Sequence, residues 1–267
     1  MIVRHAVLLA ALLPVPAPAL ASCAGLLERL LPGAPLTVAA TAETPDGCRF
    51  RGVVFDDGAT RIEAPRVDLV GADLGDLPGR LPPAMELEIA RATVRRDGLN
   101  GGAPVPAALE LAVRHADEAV TLDALALRLG DGDALAAGGR IERVGEGLSL
   151  DPGDDGARIA ALDLALRLDA HIPDLLWPGD GAGPRARAAA LAWLLALGQQ
   201  PGMAEPAAAL RAMLADLPDA RGTLRLSIGA AGLGAGQLAE MLVRPIPAEV
   251  APALRDAALS ATWDAAP

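Results

Sequence analysis

Between Leu162 and Ile172 the chain places leucine at every second position (Leu162, Leu164, Leu166 and Leu168), with Asp163, Arg167 and Asp169 between. Strict period-2 alternation is the pattern of a half-buried strand, one face packed on apolar material and the other meeting water. Leucine is only a middling strand former, so the spacing carries the assignment rather than propensity. The pattern recurs in Met85, Leu87 and Ile89, in Leu109, Leu111 and Val113, in Leu125, Leu127 and Leu129, and in Leu224, Leu226 and Ile228. A chain written this way is built mainly of sheet.

Turn signals punctuate these strands. Thr44-Pro45-Asp46-Gly47, Asp56-Asp57-Gly58, Leu77 to Pro83, Asp97 to Gly102, Ala116-Asp117-Glu118, Asp131-Gly132-Asp133 and Asp151 to Gly156 separate runs of roughly ten to fifteen residues, which suits an antiparallel meander. Pro65 falls inside the Thr60–Val70 run and marks an edge or a bulge there. After Ile89 the apolar phase flips, since Arg91, Thr93 and Arg95 stand where apolar residues are due; a β-bulge produces such a slip. A second phase change separates Leu122 from Leu125. Beyond Leu175 the spacing turns helical, with Leu210, Met213, Leu214 and Leu217 on one stripe and Pro201-Gly202 dividing two helices. A helical hairpin is expected at about 184–217, further helices near Gly236–Leu242 and Glu249–Ala257, and a last strand through Leu259, Ala261 and Trp263. The expected class is α+β, mainly antiparallel β: a curved sheet with a helical insertion near the C-terminal third.

The first residues read as a secretory signal. Arg4 and His5 precede the apolar run Ala6–Leu13, and Ala19-Leu20-Ala21 leads to Ser22. Residues 1–21 are therefore expected as signal peptide and 22–267 as one β-rich domain, periplasmic or secreted. No later stretch holds the roughly 18 apolar residues that a membrane-spanning helix needs. Cys23 and Cys48 are the only cysteines. In an oxidising compartment two cysteines pair, and this pair would pin Leu26, Leu27, Leu30 and Leu31 onto the Cys48 strand. Leu20-Ala21-Ser22-Cys23 also resembles a lipobox, which would make the protein lipid-anchored through Cys23 and leave Cys48 unpaired.

Chemistry-bearing motifs are sparse. There is no Gly-x-Ser-x-Gly elbow, and the serines lie at a terminus or within strand patterns. His115 and His171 read as ordinary strand histidines, and a hydrolase would need one of them beside a serine and an acid. Asp131-Gly132-Asp133 and Asp154-Asp155-Gly156 lack the rest of a calcium-ligand series, and Glu86/Glu88 reads as a solvated face. No catalytic residue, metal or cofactor is expected. Aromatic residues are 2% of the chain, without tyrosine, and the net charge is −11. Nucleic acid, bound through stacked rings and basic side chains, is excluded as a partner.

Ala160 to Leu168 and Leu122 to Leu129 resemble the repeated strands of AsmA-like bacterial envelope proteins. That resemblance implies a curved sheet whose apolar groove handles lipid. The chain departs from the group in carrying a cleavable-looking signal instead of a membrane anchor, and in being much shorter. The expectation is a non-enzymatic envelope protein that shelters a lipid or other apolar ligand, with Leu162, Leu164, Leu166 and Leu168 as the ligand face. The alternative is a structural or protein-interaction module, partnered by another envelope protein, whose apolar face is simply its own core.

Overall fold

The computed structural model describes residues 23–77, 82–96, 99–142, 158–171, 183–217, 219–229 and 258–266. The expected signal peptide, the Asp154–Gly156 loop, Trp177 and the helices expected after Gly236 lie outside them. Ten strands follow in chain order: β1 (Leu36–Thr44), β2 (Gly47–Asp56), β3 (Thr60–Gly71), β4 (Ala84–Arg96), β5 (Val105–Ala116), β6 (Ala119–Leu129), β7 (Asp133–Glu142), β8 (Arg158–Leu168), β9 (Gly222–Gly229) and β10 (Ala258–Ala265). Three helices accompany them: α1 (Leu26–Leu30), α2 (Gly183–Leu197) and α3 (Ala204–Asp216). Each strand pairs antiparallel with the next, so spatial order is chain order. The sheet is mainly antiparallel as its spacing predicts, and it is neither closed nor strongly curled.

Cross-strand partners share a face. One row therefore runs through Cys48, Leu69, Leu87, Leu111, Leu125, Ala137, Leu164 and Leu226 to Ala261. A neighbouring row links Ile89, Leu109, Leu127, Leu135, Leu166, Leu224 and Trp263. The alternating leucines of separate strands thus merge into a single apolar face nine strands wide.

That face survives several local slips. The β4–β5 register jumps between Ile89 and Ala92, and the β6–β7 register jumps between Leu122 and Leu125, where the apolar phase changes in sequence. In β1, β2 and β3 the inward positions change parity together. Val38, Val53 and Ala64 face the core on one side of the change, and Phe50 and Val67 on the other, while the mutual register holds. Gly52 stands at the change with φ +57°, a left-handed conformation that glycine adopts at little cost. A Cβ there would come within 2.8 Å of the Ala39 Cβ. Pro65 belongs to the same line and sits in an interior strand, so it marks an irregularity and not an edge. The β3–β4 ladder runs to Glu63↔Thr93 and resumes at Asp68↔Glu88, which spares the proline a missing donor.

Two buried clusters pack on the leucine face. The first joins Cys23 and Leu26 to Phe50, Val67, Leu69, Leu74 and Leu77, with Leu27 and Leu30 against it; Leu31, expected in the same turn, is instead half exposed. The second joins Leu194, Leu197, Met213, Leu214 and Leu217 of the helical hairpin and its exit to Leu168, Leu224 and Ile228. Helix α3 lies on β10 and β9, and Trp263 Nε1 donates to Asp216 Oδ2 at 2.9 Å. Asp133 is 2% exposed, and its carboxylate accepts the backbone N–H groups of Asp169, Ala170 and His171 at 2.8, 3.1 and 2.5 Å. It is a clasp between the start of β7 and the exit of β8, its oxygens turned to backbone donors and away from any calcium role.

Candidate functional site

The two clusters touch at Ala107 of β5, which packs against both, but part of the leucine face lies outside them. Leu109, Leu111, Val113, Leu122, Leu125, Leu127, Leu135 and Leu164 are all half-buried, and none belongs to either cluster. They form a leucine floor over β5–β8, with α1 on one flank and α2–α3 on the other. At about 4.8 Å between strands and 3.4 Å per residue, the floor covers roughly 300 Å². Apolar patches of about 300–600 Å² are the size at which a monomer's surface becomes functional.

The four leucines expected to form the ligand face divide by position. Leu168 is buried in the second cluster, and Leu162 and Leu166 pack against it. Leu164 alone of the four stands on the floor, beside Leu125 and Leu226 in the same cross-strand sequence of partners. The side chains that complete the floor come from β5, β6 and β7. Their alternation was visible in sequence, but which segment of the face would stay uncovered was not.

The opposite face of the same strands carries a shallow cleft of about 680 Å³. Two rows line it. Ala126, Ala136, Ala165, Arg225 and Thr262 form one, and Gly138, Asp163, Ser227 and Ser260 the other. Alanine and glycine leave the space that the cleft occupies. Ser227 Oγ donates to Asp163 Oδ1 at 2.5 Å, and Arg225 pairs with Asp264 at the rim. Asp123 receives both Nε and Nη2 of Arg114; that pairing holds its carboxyl below the usual carboxylate value and raises the guanidinium.

The histidines are kept apart from this serine and acid. His115 continues the leucine face at the end of β5, beside Val120, and its Nε2 is buried without a hydrogen-bond partner. The His171 ring lies against Gly130 at the β6–β7 turn. Ser227 therefore meets a carboxylate and no imidazole. Glu86 and Glu88 are exposed on the cleft side of β4, and among the described residues no cluster of potential metal ligands occurs.

Cys23 and Cys48 form a disulfide, both buried, with Cα atoms 5.6 Å apart. In this form Cys23 has no free thiol to acylate. The bond ties α1 to the first cluster and is compatible with an oxidising, exported location. Among the described residues, no helix is long and apolar enough to cross a membrane. No known protein family, curated protein or solved structure matches the chain.

Proposed function

We infer that the chain is a non-enzymatic exported protein of a bacterial envelope whose leucine floor shelters an acyl chain or another elongated apolar ligand. The observation that carries this reading is the part of the leucine face outside both clusters, where eight aliphatic side chains on adjacent strands remain half-buried. The disulfide supports folding outside the cytoplasm, and the resemblance to AsmA-like strands points to the same ligand class.

Magnitude sets the kind of binding. Covering about 300 Å² of apolar surface yields roughly 7 kcal/mol at 25 cal/mol per Å². Association costs about 4 kcal/mol or more. A single chain on this floor is consequently held loosely and exchanges, as suits carriage more than storage.

The test is mass spectrometry of organic extracts from full-length protein purified natively out of the envelope, compared with Leu125→Glu. A carboxylate in the centre of the floor repels an acyl chain. The expected result is co-purifying acyl lipid that falls at least tenfold in the variant, with circular dichroism unchanged. Lipid-free wild-type protein, or lipid retained equally by the variant, overturns the reading in favour of a module whose apolar face is its own core.

A further inference from the structure

The outer face of the sheet, opposite the leucine floor, carries a row of arginines. Arg51 of β2 stands directly opposite Arg66 of β3. The β3–β4 ladder, interrupted between Glu63↔Thr93 and Asp68↔Glu88, leads from Arg66 to the β4 bulge, where Ala90 and Arg91 share the place opposite Ala108 of β5. From Ala108 the cross-strand partners continue through Arg128 of β6 and Ala134 of β7 to Arg167 of β8. All five arginines are exposed, and no acid interrupts them. At about 4.8 Å between strands the row is roughly 29 Å long.

Like charges set opposite one another weaken a sheet, and the chain, at net charge −11, has acids enough to pair them. Yet only Arg66 is paired, with Asp68. Arg51, Arg91, Arg128 and Arg167 form no ion pair or hydrogen bond among the described residues. Open guanidinium groups are forks that receive a carboxylate through two parallel hydrogen bonds.

The neighbours of the row select the occupant. Over β3–β5 the next row holds Asp68, Glu88 and Glu110, and Glu63, on the far side, is held by Arg61. A flat anionic surface such as a membrane would meet those acids together with the arginines, whereas a single chain laid along the row meets the arginines alone. Over β6–β8 the next row is Ala126, Ala136 and Ala165, one side of the 680 Å³ cleft. Bulk beside the charges has room there, and Asp163, Ser227, Ser260 and Thr262 line that room with groups that hydrogen-bond to hydroxyls. A ligand that is linear, anionic at regular intervals and rich in hydroxyl groups is an acidic polysaccharide. We propose that the outer face binds such a chain, its carboxylates along the five arginines and its ring hydroxyls in the alanine-lined cleft. The site lies across the sheet from the leucine floor and is independent of what the floor holds.

Fluorescence anisotropy of labelled oligogalacturonate, titrated with the oxidised full chain at low salt, tests the assignment. Saturable binding that weakens as salt rises is expected, and neutral dextran oligomers should not bind. Arg128→Gln with Arg167→Gln should lower affinity about tenfold or more, and Arg51→Gln with Arg91→Gln should do the same; all four positions are exposed, and circular dichroism verifies the fold. Arg140→Gln with Arg158→Gln removes equal charge away from the row and should leave affinity nearly unchanged. Absence of binding, equal affinity for dextran, or an equal loss in the Arg140/Arg158 variant overturns the proposal. Tighter binding of polyglutamate or of phosphatidylglycerol vesicles overturns it too, in favour of an acidic protein segment or a membrane.

Discussion

The sheet's two ends cover the same apolar face by different means. At the β1 end stands a helix of five residues, and at the β10 end a pair of fifteen and thirteen. A helix of one and a half turns has no stability of its own, and of its three leucines only Leu26 is fully buried; the Cys23–Cys48 bond holds it in place. The hairpin carries enough leucine and methionine to hold itself by packing. A short cover is therefore covalent and a long one is not, and the two ends should fail in different ways.

The largest effect is expected at the packed end. Leu197 is 2% exposed within the second cluster, and Leu197→Ala should cost about 2–5 kcal/mol in chemical denaturation. Hydrogen exchange should accelerate in α2 and α3 and leave β1–β3 protected. A loss below about 1 kcal/mol, or one shared equally by both ends, would break the contrast. At the stapled end, Cys23→Ser with Cys48→Ser opens a loop of 25 residues, worth about 3 kcal/mol by chain entropy. Exchange should then begin in α1 and spare α3. The smallest effect sharpens the picture of β3. Burial raises the pKa of Asp68, but hydrogen bonds from Arg66 and Arg49 outweigh it and hold the carboxyl below its ordinary value. A depressed pKa contributes stability above the unfolded value of about 4 and loses it as pH falls through the folded one. Asp68→Asn should cost about 1 kcal/mol or less at pH 7, and the gap from wild type should close below about pH 4 in matched urea titrations.

Much of the fold was legible because its rule is local. Leucines two apart state that one side of a strand is dry, and the slips at Arg91 and Leu122–Leu125 announce themselves by placing charge or a doubled interval where leucine is due. The slip through Ala39, Gly52 and Pro65 was harder to see. Proline in a strand suggests an edge, and only the glycine opposite it reveals that three strands shift together. The leucine floor was half legible. Alternation says that Leu125 and Leu164 share a dry side, but what stands over that side depends on helices far along the chain. The alanine-lined cleft had no signal at all, since Ala126, Ala136 and Ala165 become neighbours only through register.

The agreement of spatial and chain order has a consequence for assembly. Apart from β1, each strand has its predecessor beside it, and none waits for a segment still to come. A polypeptide delivered N-terminus first can close its β1–β2 hairpin, lock Cys23 to Cys48, and then lengthen the sheet one hairpin at a time. Local pairing of this kind keeps loop-closure costs low, and the growing margin is always the newest strand. The helical hairpin arrives after β8 and ahead of β9 and β10, so the strands on which α3 lies are laid beneath a cover already made.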